Sequence, residues 1–263
     1  MGLPGYAELH CRSNFSFLTG ASHPAELIDR ARRLGYAALA ITDECSLSGV
    51  VRAHVAAREH GFHLIVGCEM QLHLPAVQKP KTGARETRTL GFDEPGARHA
   101  RLVLLAQTRR GYGNLSHWVT VARRRAAKGS YLAHPGDVEG KVPNAPVLAG
   151  LPECLALLVP DAMQSFEEVF AHAMWLKTWF QDRAAIAIEL LNRPGDPHLS
   201  RVVQRVAGFT GLPIVAAGDV LMHARSRKPL QDTLYATRLK KPVGECGAQL
   251  AMNAEQYLRS RTR

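Results

Sequence analysis

A histidine close to the N-terminus is followed two residues later by an arginine, His10 and Arg12 in the segment ELHCRSNFS. Residues two apart in a β-strand project from the same face of a sheet, so two histidines at this spacing could hold one metal ion together. Here the second position carries a guanidinium, which is a permanent cation and cannot bind a metal. The segment is therefore compatible with a metal site, with a metal site that has lost its function, or with a coincidence of residue types.

Carboxylates follow other apolar runs of the chain. Asp43 and Glu44 come after AALAIT, Glu69 comes after LIVGC, Asp219 comes after IVAAG, and Glu189 lies within AIAIELL. Imidazole and carboxylate groups bind the Zn, Mn or Fe ions that activate water for phosphoester hydrolysis. An Asp after a strand is also a common helix cap, so Asp43 could instead hold the following loop. Because such strand ends converge in space, a shared site is favoured over independent caps.

Apolar runs alternate with helical patterns along the whole chain. The runs are nearly continuous, which is typical of strands covered on both faces. The alternation predicts an α/β fold with a parallel sheet, and a closed barrel is favoured over an open sheet. Two polar stretches, 75–100 and 135–152, are predicted as loops, the first as a mobile loop or insertion. Strands are predicted at 37–42, 63–67, 102–106, 154–159, 184–191 and 214–217, and helices at 23–34, 48–60, 113–125, 165–181, 199–210 and 230–239.

The composition is ordinary for a globular protein except for its charge. The formal net charge is +10, which favours a polyanionic partner such as DNA, although free use of arginine codons would explain it equally well. The five cysteines are scattered without a C-x-x-C pair, which indicates reduced thiols and a cytoplasmic location. No apolar run approaches the roughly 18–20 residues that cross a bilayer, so no membrane partner is expected.

Five segments, in this order, carry a resemblance to a known family: ELHCRSNFSFLTGAS, AITDECSLSGVVRAH, LIVGCEM, RLVLLAQTRRGYGNL and AAGDVLMHARSRKPLQDTL. They resemble the N-terminal PHP (polymerase and histidinol phosphatase) domain of bacterial C-family DNA polymerases, which are similar to the alpha subunit of DNA polymerase III. The segment HARSRKPLQDTLYATRLKKPVGECG is similar to the error-prone, ImuC-type branch. The resemblance implies a distorted (β/α)7 barrel forming one domain over 1–263, with roughly the last 25 residues beginning the link to the polymerase palm.

The resemblance also implies which metal-site positions are altered. Where the family has imidazole ligands, or an Asp at residue 19, this chain carries Arg12, Thr19, Glu44, Arg101 and Leu221, and it retains His10, Asp43, Glu69 and Asp219. We expect the two arginines to form ion pairs with some of Asp43, Glu44, Glu69 and Asp219 in place of a metal. No metal, cofactor or catalytic residue is expected in this domain. Any residual ion would use His10, Glu69 and Asp219.

For other polar residues, the sequence supports a functional role less strongly. His99, His134 and His223 could replace missing ligands, although solvated loop histidines are the simpler interpretation. Two groups of basic residues could contact DNA or another domain: one ends a helix pattern and could instead interact with the negative helix end, and the other follows the Asp219 strand end and could meet phosphates or dock the polymerase body. These are Arg123, Arg124, Arg125, Arg225, Arg227 and Lys228.

The resemblance implies an error-prone DNA-directed DNA polymerase that acts in damage-induced translesion synthesis and DNA repair. This chain would then be an inactive structural fragment of the enzyme. Its partners would be the polymerase body of the same chain, DNA, other translesion-synthesis proteins and the sliding clamp, with Mg serving the polymerase domain. Two alternatives stay open at this point: a metal-dependent phosphoesterase or proofreading domain, and a basic DNA-binding module.

Overall fold

The computed structural model describes residues 4–73 and 99–262. The predicted loop at 75–100 lies outside the described residues except for its last two positions, which begin a strand. The described residues include no helix that is long and apolar enough to cross a bilayer. The strands are β1 (Ala7–Glu8), β2 (Ala38–Ile41), β3 (His63–His73), β4 (His99–Ala106), β5 (Cys154–Val159), β6 (Ala184–Ile188) and β7 (Ile214–Ala216). The α-helices are α1 (Pro24–Arg33), α2 (Val50–Glu59), α3 (Arg109–Arg124), α4 (Pro135–Val138), α5 (Phe166–Phe180), α6 (Asp196–Thr210), α7 (Lys228–Leu239) and α8 (Val243–Cys246).

The seven strands form one sheet in the order β1 to β7. Neighbouring strands are parallel except around β4, which runs antiparallel to both β3 and β5. The prediction of an entirely parallel sheet is therefore wrong at β4. An antiparallel neighbour needs no crossover helix, and β4 pairs with β3 over seven residue pairs, from Gly67 with Leu105 to His73 with His99.

The sheet closes into a barrel at one point between its first and last strands. An isolated parallel bridge joins Cys11 to Val220. The Val220 N–H donates to the His10 carbonyl at 2.9 Å, and the Arg12 N–H donates to the Val220 carbonyl at 2.8 Å. We call this junction the seam. The predicted distorted seven-stranded α/β barrel is thus confirmed, with a closure that depends on very few backbone hydrogen bonds.

Side chains alternate between the barrel interior and the helical layer. Leu102 and Leu104 of β4 pack outward with Trp118 of α3, whereas Val103 and Leu105 belong to an inner cluster with small residues of the other strands. The same alternation directs Arg101 inward, at the end of β4 that lies beside the exits of the parallel strands. Because β4 is antiparallel, it begins at the barrel mouth, where the parallel strands end. Arg101, near the start of β4, therefore places its cation at the mouth.

Helix α3 begins in close contact with the loop before β5. A Cβ atom on Gly111 would lie 2.0 Å from the Glu153 carbonyl oxygen, a distance that no real contact permits. Asn114 donates to the Pro152 carbonyl at 3.0 Å in the same interface. By contrast, a Cβ atom on Gly113 would meet nothing within 4 Å. The two glycines are two residues apart in α3. There is no room for a side chain at Gly111, whereas there is room for one at Gly113.

We expect Gly111→Ala to lower the free energy of unfolding by about 1–3 kcal/mol, because the backbone of the loop must move. Gly113→Ala is the matched control and should raise stability by up to about 1 kcal/mol, because alanine loses less conformational entropy in a helix. Urea unfolding monitored by circular dichroism measures both. Equal effects of the two substitutions would contradict the close packing at Gly111.

Candidate functional site at the barrel mouth

Six ionisable side chains converge where the parallel strands end. His10 and Arg12 follow β1, Glu69 lies in β3, Arg101 lies in β4, Glu189 follows β6, and Asp219 follows β7. Each is buried except Arg101, whose side chain is 23% exposed. We call these six residues the mouth cluster.

His10 lies between two carboxylates. Its Nδ1 is 2.5 Å from Oε1 of Glu189, and its Nε2 is 2.6 Å from Oε2 of Glu69. A neutral imidazole has one N–H and one lone pair, so only the doubly protonated ring can donate to both carboxylates. Burial opposes this charge, but the carboxylates of Glu189, Glu69 and Asp219 outweigh burial and raise the pKa of His10 to about 9. His10 is therefore an imidazolium at neutral pH.

The two arginines join the remaining carboxylate oxygens. Arg12 Nη2 donates to Oδ1 of Asp219 at 2.5 Å, and Arg12 Nη1 lies 3.5 Å from Oε2 of Glu69. Arg101 Nη2 donates to Oε2 of Glu189 at 2.8 Å, and Arg101 Nη1 lies 3.5 Å from Oδ2 of Asp219. Three cations thus face three carboxylates, and the mouth cluster is formally neutral.

The pKa values in the cluster reflect this pairing. Burial opposes ionisation of Glu69, yet Arg12 and His10 hold the pKa of Glu69 at about 2. Burial also opposes ionisation of Asp219, but Arg12, Arg101 and His10 hold its pKa well below the usual range. For Arg12 and Arg101, the neighbouring carboxylates overcome burial and raise the pKa. These four groups are therefore stabilised in their charged forms by their neighbours.

Asp43 and Glu44 lie apart from these arginine contacts. Asp43 accepts hydrogen bonds from the Ser13 N–H at 2.7 Å, the Ser13 hydroxyl at 2.8 Å and the Ser16 hydroxyl at 2.8 Å. Burial raises the pKa of Asp43, and these hydrogen bonds offset only part of the rise. Glu44 accepts from the Tyr131 hydroxyl at 3.1 Å and lies 3.9 Å from Arg238. Asp43 thus holds the loop after β1 rather than a cation.

Two residues of the site carry no signal in the sequence. Gln256, in the irregular segment after α8, donates from Nε2 to Oδ2 of Asp219 at 2.8 Å. Glu8 is buried beneath the cluster, and its Oε1 accepts the N–H groups of His10 at 3.0 Å and Gly218 at 2.9 Å. Glu8 therefore bridges the seam through its side chain. Glu189, noted in the sequence within an apolar run, is a central member of the cluster.

The remaining candidate positions do not enlarge the cluster. Leu221 is buried, and its N–H donates to the Gln256 carbonyl at 2.9 Å. His134 precedes α4 as its capping residue, and His223 lies 2.8 Å from the Ser22 hydroxyl. The His99 side chain lies outside the described part of the structure. Among the described residues, one group of three ligand-type side chains has atoms within 4.8 Å of one another, namely His10, Glu69 and Asp219.

Most of the basic residues predicted to contact DNA or another domain have partners within the chain. Arg123 donates to the Cys45 carbonyl at 3.1 Å, and Arg125 lies 2.7 Å from Asp137. Arg124 is exposed. Near α7, Arg225 lies 3.7 Å from Glu255, Arg227 lies 2.5 Å from Glu26, and Lys228 pairs with Asp232.

The family model of the PHP domain matches residues 8–188. The chain belongs to the PHP domain family. It is also 50% identical over 261 residues to an error-prone DNA polymerase of Bordetella parapertussis, covering 99% of this chain. It is 48% identical over 263 residues to one of Dechloromonas aromatica and 46% identical over 261 residues to one of Ralstonia nicotianae. The chain spans 22–23% of the length of these relatives.

Solved structures with low sequence identity share the fold of this PHP domain. A putative metal-dependent phosphoesterase from Bifidobacterium adolescentis aligns with a TM-score of 0.51 at 15% identity, over 83% of this chain and 88% of that one. An amidohydrolase from Chromobacterium violaceum, with bound sulfate and no metal, aligns with a TM-score of 0.53 at 15% identity, over 82% and 88%. These structures support the barrel architecture and say nothing about the chemistry at its mouth.

The mouth cluster predicts a characteristic pH dependence for the stability of this PHP domain. The pKa of His10 is about 9 in the folded protein and 6.5 for an ordinary histidine, so its contribution to stability is complete below pH 6.5 and is lost as pH rises through 9. The fall is at most about 1.4 kcal/mol per pH unit. The pKa of Glu69 is about 2 in the folded protein and 4.5 for an ordinary glutamate, so its contribution to stability is present above pH 4.5 and is lost as pH falls toward 2. Stability should therefore be greatest between about pH 5 and 6.5.

Urea unfolding at closely spaced pH values measures this profile. His10→Gln should lower stability and remove the cluster's part of the fall between pH 6.5 and 9. His54→Gln, which changes an exposed histidine of α2, is the control and should keep it. If wild type and His10→Gln show the same slope in this range, the imidazolium assignment is wrong.

Removing one cation from the cluster should be costly. Arg12→Met leaves Asp219 buried beside an apolar side chain, and we expect a loss of about 3–5 kcal/mol. The pair Arg12→Met and Asp219→Asn should show a coupling energy of about 1–3 kcal/mol in a double-mutant cycle. Arg33→Met breaks an exposed pair with Asp29 and should cost less than about 1 kcal/mol. Additive effects of the Arg12 and Asp219 substitutions would rule out their direct coupling.

Proposed function

We propose that this chain is the PHP domain of an error-prone DNA polymerase acting in damage-induced translesion synthesis and DNA repair. Identities of 46–50% to error-prone DNA polymerases over essentially the whole chain support this assignment. The proposed partners are the polymerase body of a longer chain, the DNA that this body holds, other translesion-synthesis proteins and the sliding clamp. The proposed location is the cytoplasm, which agrees with five buried cysteines that form no disulfide.

We further propose that the domain is a structural scaffold in which ion pairs take the place of a metal site. This proposal rests on one observation: most carboxylate oxygens of the mouth cluster already contact a side chain of the protein. Five of the six oxygens of Glu69, Glu189 and Asp219 contact His10, Arg12, Arg101 or Gln256. The remaining one, Oε1 of Glu69, is buried without a hydrogen-bond partner.

The donor set does not fit a divalent ion. A metal ligand must be a neutral imidazole, whereas both ring nitrogens of His10 are directed at carboxylates and its pKa is raised to about 9. A divalent ion would also lie beside two guanidinium groups, and it would add two charges to a neutral cluster. We therefore derive no hydrolytic step at the mouth. The likeness to a putative metal-dependent phosphoesterase, at 15% identity, supports the fold and not a hydrolytic activity.

A scaffold role explains the arrangement of the six side chains. They come from segments in or after five different strands, so most of their ion pairs connect parts of the barrel that share no backbone hydrogen bonds. The basic residues that could have contacted DNA mostly pair with carboxylates or carbonyls of the same chain, so they favour a DNA-binding module less than the net charge suggested. Nucleotide addition, with its Mg requirement, belongs to the polymerase body of the longer chain.

Metal analysis of the purified chain tests the scaffold proposal. After incubation with Zn²⁺ or Mn²⁺ and gel filtration, inductively coupled plasma mass spectrometry should find far less than one ion per chain. The thermal unfolding midpoint should be unchanged by EDTA. A stoichiometric ion that is lost in His10→Ala would overturn the proposal. So would hydrolysis of p-nitrophenyl phosphate that is abolished by Asp219→Asn.

Primer extension tests the polymerase assignment separately. The 263-residue chain should not extend a primed template, whereas a longer protein containing it should do so with Mg²⁺. In that longer protein, Arg12→Met should lower the thermal midpoint, and activity at low temperature should be retained. A longer protein without primer extension would contradict the assignment.

A further inference from the structure

A cavity of about 430 Å³ lies on the outer side of the seam and is lined in part by Glu8. It exists because β1 and β7 share no strand pairing, so the two strands separate beside the Cys11–Val220 bridge. The chain segment 257–261 runs across the opening where a helix would otherwise cover the strands. The cavity is therefore built into the fold.

The walls of the cavity combine aromatic and aliphatic groups. Tyr6 and Tyr36 form an edge-to-face pair with ring centroids 4.9 Å apart, and Tyr257 lines another part of the wall. Ile188 and Ala217 supply apolar surface. Tyrosine rings beside small aliphatic groups suit a flat ring, which can contact their faces and edges.

The inner end of the cavity carries a hydrogen-bond acceptor. Glu8 is 2% exposed and lines the cavity. Its Oε1 already accepts two backbone N–H groups, whereas among the described residues its Oε2 accepts one hydrogen bond, from the Tyr6 hydroxyl at 2.9 Å. A carboxylate oxygen can accept two hydrogen bonds, so Oε2 retains capacity for a ligand N–H. Burial raises the pKa of Glu8, and its three donors offset this only in part.

The outer end carries a cation without a carboxylate partner. Arg259 is half-buried and donates from Nη1 to the Leu190 carbonyl at 3.0 Å. In the described part of the chain it makes no ion pair with an Asp or Glu. It lies close enough to Tyr6 and Tyr36 to oppose the rise in their pKa that burial causes. A guanidinium in this position favours an anionic group of a ligand.

We propose that the seam cavity binds a small heteroaromatic anion, with a ring N–H donated to Glu8, the ring against the tyrosines and the anionic group at Arg259. The volume admits molecules up to the size of a nucleoside monophosphate. An aromatic carboxylate that bears a ring N–H is a smaller molecule with the same three features: a flat ring, an N–H donor and an anionic group. The proposal does not depend on the polymerase assignment or on the mouth cluster.

Isothermal titration calorimetry of the 263-residue chain tests the proposal with defined probes. The 5′-monophosphates of deoxyguanosine and thymidine and indole-3-carboxylate each contain the ring, a ring N–H and the anion. Deoxynucleosides lack the anion, and inorganic phosphate lacks the ring. We expect at least one complete probe to bind at least about tenfold more tightly than either partial probe.

Two variants locate the site. Arg259→Gln removes the cation and should weaken binding about tenfold or more, and Ala216→Leu should do the same by filling the cavity. Arg205→Gln changes an exposed arginine of α6 and is the matched control, which should bind as wild type does. Circular dichroism and thermal unfolding establish that each variant is folded.

The outcomes separate the parts of the proposal. Binding of nucleotides alone identifies phosphate as the anion, and binding of indole-3-carboxylate alone identifies a carboxylate. No binding of any complete probe overturns the proposal. Equal binding of inorganic phosphate and the nucleotides overturns it, because the ring would then contribute nothing. Unchanged affinity in folded Arg259→Gln or Ala216→Leu overturns it, because the ligand would then lie elsewhere.

Discussion

The second proton on His10 is the feature on which the barrel mouth depends. The two ring nitrogens lie 2.5 Å and 2.6 Å from carboxylate oxygens, so a neutral ring would direct a lone pair at an anion. With both protons present, the six side chains contain three positive and three negative charges. A neutral, mutually hydrogen-bonded group can be buried at a far lower free-energy cost than any one of its members alone. The proton therefore allows Glu69 and Glu189 to lie inside the barrel together.

The mouth cluster matters because the backbone closes the barrel weakly. β1 contains only two residues, and the seam has one isolated bridge between Cys11 and Val220. Side chains add contacts across the same junction, since Arg12 donates to Asp219 and Glu8 accepts from the Gly218 N–H. Ion pairs of this kind contribute little net stability compared with apolar packing, but they are costly to break singly. The ion pairs determine which strand ends lie next to each other. In a barrel whose closure has few backbone hydrogen bonds, the backbone alone specifies this arrangement weakly.

The strands that carry the site were predictable because they are nearly uniform apolar runs. Cys154–Val159 has the predicted bounds, and the runs before Asp43 and Asp219 end at strands of the sheet. The direction of β4 was not predictable from its own residues, because Leu102–Ala106 has the same pattern in a parallel or an antiparallel strand. The one signal was the connection before it, whose lack of a helical pattern is compatible with an antiparallel neighbour. The reversed direction of β4 nevertheless decides the site, because it places Arg101 at the mouth.

Individual side-chain partners were less predictable than strands. Pairing of Arg12 with Asp219 and Glu69 followed from opposite charges at strand ends, whereas the attachment of Asp43 to Ser13 and Ser16 depends on the turn of the loop after β1. Gln256 lies in a segment without periodicity, so no spacing rule indicated that it would reach Asp219. Glu8 would have been read as solvent-facing on charge alone, because its burial depends on donors from His10 and Gly218 that meet only at the seam.

The charges of the mouth cluster also explain why its carboxylates remain. In the metal-binding pattern that the family resemblance implies, positions 12 and 101 carry neutral imidazoles around a divalent ion. Arginine at both positions adds two positive charges, which equals the charge of one divalent ion. Glu69, Glu189 and Asp219 can then stay ionised in a buried site, because the protein itself supplies the charge that a metal would bring. On this reasoning Arg12 and Arg101 act as a pair, and either one alone would leave the buried carboxylates only partly neutralised.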